Sequence, residues 1–165
     1  MTLSFAHLAS PLGRLVLVKS AAGLVRLQFD DDEAPDPAWR RDPAAFREET
    51  AQLEAYFSGD RDRFDLALAP RGTPFQLRVW RALAAIPFGR TSTYAEIARA
   101  IGSSKACRAV GAANRVNPFA IVVPCHRVVG ASGDLTGYAG GLDRKRWLLR
   151  HERAARELTS AGTPR

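Results

Sequence analysis

The stretch TYAEIARAIGSSKACRAVGAAN, residues 93–114, decides how the second half of this 165-residue chain folds. Thr93 and Glu96 have the spacing of a capping box and predict a helix that begins at Tyr94. Ile97, Ala98 and Ile101 fall on its buried side, and Gly102 ends it. After Ser103-Ser104 a second helix is expected from about Lys105 to Asn114. Two short helices joined at a glycine make a helix-turn-helix. The second is rich in small residues, Ala106, Ala109, Gly111, Ala112 and Ala113, with Arg108 and Arg115 among them. That composition suits close approach to a nucleic acid, and it equally suits tight helix packing.

Upstream, Thr73 and Gln76 form another capping box around Pro74, and Phe75, Val79, Leu83 and Ile86 follow as a core-facing stripe. Pro87-Phe88-Gly89 stops that helix, and Ala69-Pro70-Arg71-Gly72 reads as a linker before it. The first 30 residues alternate like a β-meander: Leu3, Phe5 and His7, then a turn at Ser10–Gly13, the apolar run Arg14–Lys19, a turn at Ala22-Gly23, and Val25, Leu27 and Phe29. A polar loop spans Asp30–Pro37. Ala44–Phe57 has helical spacing, with Phe46, Thr50, Leu53 and Phe57 on one stripe, and Phe64–Leu68 is a further strand candidate. The expected class is α+β. An N-terminal α/β unit with a small antiparallel sheet takes residues 1–70, a mostly helical C-terminal unit with the helix-turn-helix takes 73–155, and 156–165 form a frayed tail.

Charge divides the chain along the same line. Residues 1–70 hold 8 Lys/Arg against 12 Asp/Glu, a net of −4, and residues 71–165 hold 16 against 5, a net of +11, which together give the total of +7. A basic half suits a polyanionic partner, and solvated arginines on helix faces would look the same. No apolar run reaches the roughly 18 residues of a membrane span, and the first residues lack a signal-peptide layout, so a cytoplasmic protein is expected. The two cysteines, Cys107 and Cys125, and three histidines have no zinc-site spacing, so neither metal nor cofactor is expected.

Ala120–Val123 reads as a short apolar strand that runs into Pro124-Cys125-His126-Arg127. A lone cysteine usually just packs. Here a histidine follows it and an arginine stands two residues on, and both would favour the nucleophilic thiolate. Cys107, beside Arg108, reads as a packing residue.

The string Pro124-Cys125-His126-Arg127-Val128-Val129 resembles the active-site signature of the O6-alkylguanine-DNA alkyltransferases. So do Phe75-Gln76 with Val79-Trp80, Ile86–Gly89, Thr93-Tyr94, Arg108–Gly111 with Asn114, Asn117-Pro118, Gly137–Leu142, and Lys145, Trp147–Leu149 and Glu152. The likeness is dense over residues 73–152 and rests on the strand pattern alone over 1–70.

The resemblance implies a repair protein that moves the alkyl group from guanine O6 in DNA irreversibly onto Cys125, in a single turnover. Double-stranded DNA would be met through its minor groove by a protein that is monomeric when free. Arg108 would fill the space of the extruded base, with Ala109, Gly111, Ala112, Asn114 and Arg115 at the interface. His126 would act on Cys125 through a water, Glu152 would orient His126, and Asn117 would order the reactive turn. Tyr94 would donate to the departing base. Tyr138 would line the pocket, and main-chain groups at Val128, Ala139 and Gly140 would read the guanine edge. Ala139 stands where some relatives carry serine. Two other readings compete: a non-catalytic damage-recognition relative, which carries tryptophan in place of the cysteine, and a helix-turn-helix regulator with a structural cysteine.

Overall fold

In the computed structural model, which describes residues 1–162, the chain forms two units. The first comprises Met1–Arg71 together with Pro118–Ala120. Its strands β1 (Ser4–Ser10), β2 (Gly13–Ser20) and β3 (Gly23–Phe29) form the antiparallel meander, with His7 opposite Val16 and Leu17 opposite Leu27. A short strand β4 (Arg40–Arg41) adds to β1 in parallel, so the sheet is mixed, in the order β3-β2-β1-β4. Central β2 is covered on both faces. Val16 and Val18 pack with Phe5, Leu3, Val25 and Trp39, while Leu15 and Leu17 point the other way by strand alternation and are equally buried.

The strand expected over 64–68 shrinks to a single bridge between Leu68 and Leu24, closed by hydrogen bonds from Leu24 N to the Ala67 carbonyl and from Ala69 N to the Leu24 carbonyl. Gly23 permits this approach, because a Cβ there would stand 2.4 Å from the Ala67 oxygen. β3 also takes Phe119 as a bridge partner at Leu27.

A 3-10 turn over Pro43–Phe46 leads into α1 (Arg47–Phe57). The buried positions are Phe46, Glu49, Gln52, Leu53 and Tyr56, with Phe57 only half-buried. Polar residues displaced the expected stripe because they find partners. Glu49 pairs with Lys19 at 2.8 Å, and the Gln52 amide exchanges two hydrogen bonds with the Asp65 backbone.

The second unit comprises Gly72–Asn117 and Ile121–Arg165. Helix α2 (Pro74–Ala84) and helix α3 (Tyr94–Ala100) each start with a complete capping box, at Thr73/Gln76 and Thr93/Glu96. Val79, Leu83 and Ile86 are buried as the stripe requires, Phe75 is half-buried, and Trp80 joins the core with its indole N–H on the Ala113 carbonyl at 2.9 Å. Gly102 has φ +75° at the turn into α4 (Cys107–Arg115), which completes the helix-turn-helix. Strands β5 (Ser92–Thr93) and β6 (Val128–Val129) pair in parallel. Helix α5 runs from Leu142 to Gly162, well into the tail expected to fray, because Arg153-Ala154-Ala155-Arg156-Glu157-Leu158 are strong helix formers. Residues 163–165 of that expected tail lie outside the described residues.

Candidate active site around Cys125

The apolar run before the cysteine is not a strand. Residues 120–123 form turns in which Ile121 adopts φ +72°, a conformation that a β-branched residue rarely takes. The Val123 carbonyl holds the bend, accepting from Asn117 Nδ2 at 2.8 Å and from Cys125 N at 2.8 Å. Cys125, His126 and Arg127 then form one 3-10 turn. Asn117 also hydrogen bonds the Cys125 thiol. It therefore orders the turn and touches the sulfur.

Cys125 is only 6% exposed. Burial pushes its thiol above the usual range, and this outweighs the lowering influence of Asn117, of Lys145 and of nearby backbone N–H groups. Burial therefore works against the expectation that His126 and Arg127 would hold it ionised. Neither neighbour is available for that. His126 is buried, and its Nε2 lies 2.7 Å from Glu152 Oε1. Its Nδ1 is buried without a hydrogen bond. Burial lowers the imidazole below its normal value despite the carboxylate beside it, so the ring is neutral.

Arg127 turns away to Glu152, with Nε on Oε2 at 2.9 Å and Nη2 on Oε1 at 2.9 Å. Burial alone would raise the Glu152 carboxyl, but His126 and Arg127 prevail and bring it down to about 2. Imidazole and carboxylate thus stand paired on the residue that follows the cysteine, with Asn117 and Lys145 as the side chains that act on the thiol itself.

Lys145, quoted above for its resemblance to the family's closing segment but given no role, is a buried cation of the site. It is fully buried, and Nζ donates to the carbonyls of Val128 (2.5 Å), Thr136 (2.8 Å) and Gly137 (3.4 Å). Burial lowers its ammonium to about 8, against a raising influence from Cys125. The signal was present: Lys145, Leu148 and Glu152 are spaced i, i+3, i+7, so two charged residues share the apolar stripe of α5.

The Lys145 bonds fasten the segment that bounds a hollow of about 250 Å³ between Tyr94, Asn114, Arg115, Thr136 and Gly137. Tyr94 Oη donates to the Thr136 carbonyl at 3.1 Å. Tyr138 carries a buried hydroxyl without a hydrogen bond, and burial pushes its phenol well up. The Val128 carbonyl is already engaged by Lys145, with a second lone pair left over, while Ala139 is exposed and Gly140 half-buried.

On α4, Arg108, Ala109, Ala112 and Arg115 are exposed and Gly111 is half-buried. Asn114 is not on that face. It is buried, with Nδ2 donating to the Cys125 carbonyl at 3.5 Å, which corrects its expected place at the interface. Three to four residues per turn carry it to the inner side with Val110 and Ala113. Among the described residues no three His, Cys, Asp or Glu side chains converge as metal ligands would.

Comparison with known proteins adds to this geometry. Residues 3–70 match the ribonuclease-like domain of 6-O-methylguanine DNA methyltransferase, and residues 74–154 match its DNA-binding domain. The chain belongs to the 6-O-methylguanine DNA methyltransferase family. Within that family it is 52% identical to the methylated-DNA–protein-cysteine methyltransferase of Methanosarcina acetivorans, over 90% of this chain and 97% of that one. It is 51% identical to the protein of the same name from Mycobacterium bovis, over 91% and 93%. Among solved structures, the O6-methylguanine methyltransferase of Mycobacterium tuberculosis superposes with a TM-score of 0.87 at 48% identity, covering 93% and 94% of the two chains. A Mycobacterium tuberculosis family member in complex with DNA gives 0.88 at 49% identity, covering 92% and 94%.

Proposed function

We propose that this family member repairs DNA by moving the alkyl group of an O6-alkylguanine onto Cys125, and that residues 73–155 hold both the acceptor and the DNA contact. The supporting observation is the series Cys125, His126, Glu152 in one buried turn-and-helix packing, with Asn117 on the sulfur. His126 takes the thiol proton at Nδ1 through a water. The sulfur–carbon bond forms as the carbon–oxygen bond breaks. Tyr94 gives its phenol proton to the departing base, which becomes guanine with its N–H, and the proton that His126 took from the thiol replaces the one Tyr94 gave, so that one proton in all moves from sulfur to guanine. A thioether does not release its alkyl group in water, so each molecule acts once.

The finer reading places α4 in the minor groove. A protruding Arg108 flanked by Ala109 and Ala112 suits insertion beside an extruded base, because the small residues let the helix backbone come close. Tyr138 packs on that base, and main-chain groups at Val128, Ala139 and Gly140 read its edge. The protein acts as a monomer when free, in the cytoplasm; among the described residues no helix is long and apolar enough to cross a membrane.

The test is a duplex carrying a radiolabelled methyl on guanine O6, mixed with the parent and with Cys125→Ala. Label recovered on the peptide holding Cys125, one per molecule, and absent from the variant, is expected. Label on another residue, or turnover beyond one, would overturn the assignment.

A further inference from the structure

We propose that Arg127 is a positioning residue: it fixes the Glu152 carboxylate as an anion committed to the Nε2–H of His126, so that Nδ1 is left as the base. The inference deepens the reading of His126 as base for Cys125 and rests on it.

The carboxylate receives three donors, Arg127 Nε and Nη2 and the imidazole Nε2–H, across both of its oxygens. A guanidinium does not give up its proton, and its fork fixes the carboxylate plane as well as the charge. Arg127 is itself held, with Nη1 on the Ile86 carbonyl at 2.7 Å and Cζ over the Phe88 ring, 5.7 Å from its centre. The residues after α2 thereby set where the carboxylate of α5 stands.

Charge counting gives the consequence. His126 is faced by Glu152, Arg127 and Lys145, and Glu152 by His126 and Arg127, with the Tyr138 phenol and Cys125 nearby. Arg127 neutralises Glu152. A resting imidazolium would therefore add uncompensated charge to a buried site that already holds Lys145. An ionised Cys125, which also faces Lys145, would supply the missing negative charge, so that a proton on His126 is favoured together with the thiolate. Without the guanidinium, Glu152 would neutralise an imidazolium instead, and the ring would take its proton from solvent at higher pH.

The experiment is single-turnover transfer from an O6-methylguanine duplex, followed from acid to neutral pH, for the parent, Arg127→Gln and Arg127→Lys. Arg127→Gln should move the acid limb of the profile upward by about one pH unit, a roughly tenfold loss at fixed pH on that limb. Arg127→Lys, which keeps the charge, should restore the limb while remaining slower through the lost fork. A uniform loss at every pH in both variants, as a packing role alone would give, overturns the inference.

If neither variant folds, nitrogen NMR of the parent decides. A bare Nδ1 with a protonated Nε2, beside a Glu152 carboxyl that stays ionised well below the ordinary carboxylate range, supports the inference. The opposite tautomer, or an ordinary Glu152 titration, refutes it. His126→Gln separates the two levels: transfer at the parent rate removes the base and with it the role of Arg127. A slow His126→Gln combined with an unmoved Arg127→Gln limb overturns the role of Arg127 alone.

Discussion

Glu152→Gln should destabilise the protein strongly at neutral pH and progressively less in acid. The carboxyl is fully buried and lies at about 2, against an unperturbed 4.5. A carboxylate whose folded value is depressed contributes stability that is present above the unfolded value and lost as pH falls toward the folded one. The window here is therefore about 4.5 down to about 2, and the depression corresponds to roughly 3 kcal/mol at neutral pH. An independent argument gives a similar size. Removing one partner of a buried pair leaves the other charge uncompensated, which costs about 3–5 kcal/mol, and here that charge is Arg127. The assay is urea unfolding of parent and variant at neutral pH and at several acid values. The expected deficit is about 3 kcal/mol or more at neutral pH, shrinking as the parent loses its own advantage. Glu152→Gln combined with Arg127→Met removes both charges and should recover much of the loss, a coupling that a double-mutant cycle reads directly. A deficit under about 0.5 kcal/mol at neutral pH, or one that does not change with pH, would refute the reasoning.

Methylation of Cys125 adds a carbon to a packed site and should cost about 1–3 kcal/mol, seen as a melting temperature several degrees lower for the reacted protein; equal melting would contradict it. Trp80→Phe leaves the buried Ala113 carbonyl without its indole donor and should lose about 1–3 kcal/mol in denaturant unfolding, with transfer still complete. Arg108→Ala should slow transfer from duplex far more than it weakens binding to undamaged DNA. Equal losses in both assays would assign Arg108 to phosphate contact. Thr93→Ala removes the cap of α3 and should cost about 1 kcal/mol, measured the same way as Trp80→Phe.

Local rules were enough wherever a side chain bonds its own backbone. The capping boxes at Thr73 and Thr93 and the stop at Gly102 depend on residues three or four apart, and these set α2, α3 and the turn of the helix-turn-helix in the sequence itself. Resemblance to the family singled out Cys125, His126, Asn117 and Glu152, which the structure brings together. Periodicity failed where distant partners decide. Residues 120–123 look like a strand by composition, yet the Asn117 carboxamide bends them into turns. Asn114 looks like part of a polar helix surface until the Cys125 carbonyl claims it. Arg127 reads as a thiolate-stabilising charge from its place next to the active turn, and only the fold reveals that Glu152, 25 residues later, takes it.

The correction at the sulfur changes how the chemistry is understood. Had Arg127 faced Cys125, the free protein would carry a standing thiolate, the form that oxidants and stray electrophiles attack. An acceptor that cannot be regenerated is lost for good in any such reaction. Burial favours the protonated thiol and the neutral imidazole alike, and a neutral His126 beside Glu152 and Arg127 would be a base that does not ionise the thiol in advance. Reactivity then depends on events that bring charge to the site. On the proposed function, a base seated beside Tyr94 would offer the leaving group, and the thiol proton would pass to His126 through the bridging water only at that moment. The same burial that protects the thiol should strain the methylated product. A readily ionised, exposed cysteine would give up both properties, and a single measurement distinguishes the two cases: the rate at which a small thiol reagent modifies Cys125 in the folded protein should fall far below that of a free cysteine, and should rise on unfolding.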